Sequence, residues 1–74
     1  MAYERHTLVS YETETKPRKG VWLSGHCKVE SAYRWARSIG ATGTVRVSHE
    51  VFDTSGKGRG GNEGRWTLTI PSVT

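Results

Sequence analysis

Hydrophobic and polar positions alternate most cleanly over Val21 to Val29, VWLSGHCKV. Val21, Leu23, Cys27 and Val29 share one side, with Gly25 among them, while Trp22, Ser24, His26 and Lys28 share the other. That period of two predicts a strand. The period then lengthens. Over Glu30 to Ile39, ESAYRWARSI, a helical spacing gathers Ala32, Trp35, Ala36 and Ile39 into one arc and sets Arg34, Arg37 and Ser38 opposite. Glu30 or Ser31 can start this helix, and Gly40 can end it as a C-terminal cap.

Period two returns over Gly43 to Phe52, GTVRVSHEVF, with Val45, Val47 and Val51 facing one way and Arg46, Ser48, Glu50 and Phe52 the other; His49 interrupts the valine side. A fourth alternation, Arg65 to Ile70, turns Trp66, Leu68 and Ile70 inward before Pro71 stops it. The first segment, Tyr3 to Thr13, mixes β-branched, aromatic and polar residues, with Tyr3, Thr7, Val9 and Tyr11 on one side and His6, Leu8 and Ser10 on the other. It predicts a strand without deciding which side is buried. Between the first two strands, TKPRKG brackets Lys16, Arg18 and Lys19 between Pro17 and Gly20, which is hairpin-turn chemistry with a dense positive charge.

The order ββαββ defines an α+β domain, residues 1–74, in which one helix covers one face of a four-stranded sheet and residues 53–64 form a flexible hairpin loop. The expected core is Val21, Leu23, Val29, Ala32, Trp35, Ala36, Ile39, Val45, Val47, Val51, Trp66, Leu68 and Ile70. A ten-residue helix spans only ~15 Å, so part of the covered face and all of the other stay open. If the middle strand, helix and strand form a crossover, those two strands run in the same direction. The KPRKG turn and the glycine segment GKGRGGNEG then lie at opposite ends of the sheet.

Composition narrows the class. A single domain of this size buries only about 60% of its unfolded surface, so its stability is marginal or helped by a partner. The lone Cys27 cannot close an internal disulfide, which predicts a reducing compartment. MAYERHTLVSYE carries charge where a secretory leader needs an apolar stretch, and no run reaches the ~18 apolar residues of a membrane span. A cytoplasmic protein that contacts no membrane is expected, as a monomer or homodimer. Eleven Lys and Arg against seven Asp and Glu give a net charge of +4. That favours an anionic partner surface only where the cations gather in one stripe.

Candidate chemistry concentrates in three places. The glycine segment is no phosphate cradle: Lys57 is followed by Gly58 instead of Ser or Thr, and the segment runs into a strand where a phosphate loop needs a helix N-terminus. Lys57 and Arg59 are its contact groups, whether on RNA, on a protein partner, or simply as the charges that keep a loop in water. The open sheet face is the second place. It is expected to interleave Trp22, Phe52 and, with them, Tyr11 with His26, Lys28 and Arg46, a mixture that suits a protein-docking surface or single-stranded nucleic acid; Trp22 packed beneath the first strand is the third reading. Arg34 and Arg37 on the outer helix face are the third place, either solvated or set against phosphate or an acidic groove.

No catalytic pattern emerges, and a non-enzymatic protein is expected. His26 and Cys27 are neighbours on a strand and therefore face apart, and the seven carboxylates form no acid–base pair. His6, His26, His49 and Cys27 lack metal-ligand spacing, so neither a metal nor a cofactor is expected.

In size and arrangement, with VWLSGHCKV, the short alanine-bearing helix ESAYRWARSIG and the strand GTVRVSHEVF in one small domain, the chain resembles the small inhibitor proteins encoded by phages and mobile elements, such as anti-CRISPR proteins. These proteins share no motif, so the resemblance transfers no residue role. It implies a protein that disables a larger complex by occupying a surface, in the cytosol of the host cell if the chain is phage-encoded. Many such inhibitors are acidic mimics of DNA, a route that a basic chain does not take. The expected partner is therefore a protein complex, with direct DNA or RNA binding through the same cations as the alternative.

Overall fold

The structure, a computed structural model, describes residues 3–54 and 60–71, so Lys57 and Arg59 lie outside the described residues. Five elements follow one another: β1 (Tyr3–Thr13), β2 (Lys19–Ser24), α1 (Val29–Ser38), β3 (Ala41–Asp53) and β4 (Gly61–Ile70). They build one sheet in the order β2-β1-β3-β4, antiparallel at every neighbouring pair, with α1 packed on one face. The α+β arrangement is the one the alternation predicts. Because β1 runs opposite to both its neighbours, β2 and β3 share a direction, and α1 is the crossover between them. The sequence did not indicate that β1 would lie inside that crossover.

That central position decides what is buried. Flanked on both sides, β1 turns Thr7, Val9 and Tyr11 toward the helix, where all three are buried with Val45, Val47, Ala41, Ala32 and Ala36. Tyr11 is thereby removed from the open face, where its place in the alternation had left it a candidate. Its ring meets Trp35 edge-on, with centroids 5.8 Å apart. The two buried alanines let α1 approach the valines of β3 closely, since a small side chain at the contact shortens the interaxial distance. Gly40 ends the helix as expected: with φ +88 it occupies the left-handed region, and its N–H reaches the Arg37 carbonyl at 3.1 Å.

Three expectations fail for reasons visible in the backbone. The strand expected over Val21 to Val29 stops at Ser24, because Gly25 takes φ +75 and turns the chain across the sheet. Thr7 Oγ1 donates to the Gly25 carbonyl at 2.7 Å and accepts the Cys27 N–H at 3.2 Å, pinning that turn to β1. Val29 consequently joins the helix. The remaining two concern the core: Ile39 and Trp66, both expected inside, are exposed, because α1 is too short to reach the sheet beyond its own ends. Strand β4 starts at Gly61, four residues earlier than its hydrophobic alternation indicates, and β3 runs to Asp53.

The described fold extends 50 Å along its longest axis, against about 15 Å of helix. Beyond α1, an aromatic stack takes over the covering of the sheet. His26 and His49 lie parallel with centroids 4.4 Å apart, and Trp66 meets His49 edge-on at 4.6 Å. Each imidazole donates Nε2–H to a carbonyl, His26 to Glu50 at 3.0 Å and His49 to Cys27 at 2.7 Å. The Trp66 indole can lie flat because its neighbour two residues back has no side chain: a Cβ on Gly64 would collide with the six-membered ring. Gly64→Ala should therefore displace Trp66 and cost about 1–3 kcal/mol. Thermal unfolding together with tryptophan fluorescence would read both effects, and an unchanged midpoint would show that Trp66 is not held there.

Candidate interaction surface on the open sheet face

The face opposite α1 carries the even-numbered residues of β1, β2 and β3, and register lines them up in rows across the sheet. One row runs Trp22, Leu8, Ser48, Arg65; the next toward the β3–β4 hairpin runs Ser24, His6, Glu50, Asn62; the next in the other direction runs Gly20, Ser10, Arg46, Thr67. Strands sit about 4.8 Å apart, so each row spans roughly 15 Å.

At the hairpin end three rings converge. Trp22 and Phe52 meet edge to face with centroids 5.3 Å apart, and His6 lies 5.5 Å from Phe52 and 6.4 Å from Trp22. The cluster forms although Trp22 and Phe52 stand on strands separated by β1, because both side chains lean across Leu8 and His6. Trp22 is 51% exposed and Phe52 41%, which makes them the most solvent-exposed apolar pair on this face. Carboxylates border the rings. Glu4 accepts from His6 Nε2 at 3.2 Å, and Glu50 is held by the Asn62 amide.

At the other end the face is basic. Arg46 stands exposed there among Ser10, Thr44 and Thr67, and Arg65 stands exposed beside Ser48 one row nearer the middle, level with Trp22. Arg18 folds back from the turn onto the same end, donating to Ser10 O and Ser10 Oγ at 3.1 Å each and to Thr44 O at 2.6 Å, with Glu12 at 3.6 Å. Three acceptors and a carboxylate hold Arg18, so it stitches the KPRKG turn to the sheet and offers little to a partner. The face is thus polarised, acidic and aromatic at one end and basic at the other.

Of the candidates read from the sequence, the fold brings together Trp22, Phe52 and Arg46. It separates the others. Lys28 sits exposed at the start of α1, and His26 stacks on His49 on the helix side, because the turn at Gly25 ended the strand that would have placed both on the open face. Lys19 reaches over the Tyr11 ring on the helix side, 5.7 Å from its centroid, and Lys16 remains in the exposed turn. Arg34 and Arg37 border a groove of about 270 Å³ between α1 and β4, lined also by Val29, Tyr33 and Leu68; Arg37 lies 5.9 Å over the Tyr33 ring. His6, Leu8 and Arg65 join the surface without having been singled out. The signal that could have found them is the facing of β1: once Thr7, Val9 and Tyr11 are inside, His6 and Leu8 must face out beside Trp22.

His49 does meet Cys27, but through the backbone carbonyl and not the thiol. Among the described residues, no three His, Cys, Asp or Glu converge as a metal site. No helix there is long and apolar enough to cross a membrane. Comparison with known protein families, with curated proteins and with solved structures finds no match to this chain.

Proposed function

We propose that this chain is a binding protein without catalysis that docks its open sheet face on a protein partner. The observation that carries this reading is the exposed Trp22–His6–Phe52 cluster, an aromatic anchor on a flat face, with Arg46 and Arg65 at its border. Aromatic and arginine side chains dominate the binding energy of protein interfaces, the first as desolvated anchors and the second at their polar edge. The partner surface that fits is apolar opposite the rings and acidic opposite Arg46 and Arg65. In the inhibitory role that the resemblance to small phage inhibitors implies, occupying that surface on a nucleic-acid-handling complex is itself the activity.

Direct nucleic-acid binding by the same face is the weaker reading. Bases stack on ring faces presented to solvent, whereas these rings pack edge to face on one another, and Glu4 and Glu50 beside them repel phosphate. Salt separates the two. A protein captured by the immobilised chain should stay bound between about 0.1 and 0.5 M salt with a modest loss of affinity, while binding through six or more phosphates would fall by a factor of ~10³ or more. Tight binding of single-stranded DNA or RNA at low salt that collapses over this range would replace the protein reading with the nucleic-acid one.

A further inference from the structure

We infer that, in the absence of its target, the docking face is closed by a second copy of the same chain, as a face-to-face dimer that the target must open. The inference rests on the reading of the open face as a docking surface and names what occupies it at rest.

Three observations carry it. The first is a missing layer. A sheet is stable when both apolar sides are covered or one side is polar, yet here the side opposite α1 exposes Trp22 and Phe52, with Leu8 half-buried between their strands, in a chain whose buried core consists of small and medium side chains plus Tyr11. The second is size. Strands of eleven, six, thirteen and ten residues, about 4.8 Å apart, give a face on the order of 600 Å², about three quarters of the ~800 Å² per partner of a standard stable interface.

The third is charge. A two-fold axis lying between the two sheets and across the strands sets each row of one copy over the row at the opposite end of the other. The Trp22–Leu8–Ser48–Arg65 row maps onto itself, so the two tryptophans meet across the axis; at the exposed β4 edge the two Arg65 side chains also fall on each other, a like-charge contact that the two Glu50–Arg46 pairs must outweigh. The His6–Glu50 row falls on the Ser10–Arg46 row, placing Glu50 of each copy over Arg46 of the other. The acidic, aromatic end of one face thereby covers the basic end of its mate, twice, as an isologous interface requires. Strand directions stay aligned, as in packed β-sandwiches.

Sedimentation equilibrium of the purified chain at concentrations up to about 100 μM tests this without any target. The wild type should dimerise. Glu50→Arg and Arg46→Glu should each weaken the dimer by about tenfold or more, by placing like charges face to face, and the double variant E50R/R46E should restore it to within a few-fold of wild type. Circular dichroism confirms that each variant is folded, and recovery in the double variant shows that the singles fail at the interface and not in the fold. A wild type that stays monomeric overturns the inference and leaves the docking reading standing, because target capture is read separately. A dimer indifferent to both swaps, or one dispersed by Trp66→Ala on the helix side and not by Trp22→Ala, also overturns it. Loss of captured target on Trp22→Ala alongside a monomeric wild type is the result that separates docking from self-association.

Discussion

Thr7→Val should destabilise the fold by about 2–4 kcal/mol although it changes neither the size nor the shape of the side chain. Thr7 is fully buried, and its hydroxyl serves two backbone groups of the turn that carries β2 into α1, donating to the Gly25 carbonyl and accepting the Cys27 N–H. Valine leaves both groups unpaired in a partly buried place, and each such loss costs roughly 1–3 kcal/mol. The packing of Cys27 and the His49 bond to the Cys27 carbonyl depend on the same turn, so both are expected to loosen with it. For a chain of this length each kcal/mol lowers the unfolding midpoint by about 4–8 °C. Thr7→Ser, which keeps the hydroxyl and loses one methyl, should recover most of the stability. Equal midpoints for Thr7→Val and wild type would show that the hydroxyl does not hold the turn.

Trp22→Ala should weaken target binding by about 30-fold or more, the loss typical of a central aromatic anchor. The cost to folding is smaller: the variant loses the edge-to-face contact with Phe52 and the wider one with His6, about 0.5–1.5 kcal/mol for an aromatic pair. Phe52→Ala should have a lesser effect on binding, since Trp22 is the larger ring and the more exposed. Calorimetric titration against the captured partner reads the affinities, and thermal unfolding reads the folding cost. If Trp22→Ala binds as wild type does while remaining folded, the open face is not where the partner sits.

Much of this molecule was legible in residue order. The alternation of GTVRVSHEVF indicates a strand because only a period of two puts Val45 and Val47 on one side, and both are fully buried in β3. The alanines of ESAYRWARSIG mark the buried arc of the helix, and Gly40 marks its end. Of the surface, Trp22, Arg46 and Phe52 were legible for the same reason: each stands opposite a core residue on its own strand. Lys28 and His26 were misplaced because the alternation of VWLSGHCKV runs unbroken past Gly25. Nothing local says that Gly25 will leave the extended region. That choice is made by Thr7, eighteen residues earlier in the chain, whose hydroxyl accepts the Cys27 amide and fixes the Gly25 carbonyl.

Periodicity by itself determined the kinds of element and their order, and, on the condition that α1 is a crossover, the shared direction of β2 and β3. These follow from local chain geometry and from the length of connection that a crossover requires. Only the tertiary structure decided that β1 lies at the centre of the sheet, and with it which of its sides is buried. In Tyr3–Thr13 both sides carry apolar and polar groups of similar size, so the difference in burial energy arises only when neighbours arrive on both edges and α1 closes one face. That decision placed His6 and Leu8 between Trp22 and Phe52, and so joined residues of three strands into one exposed aromatic surface.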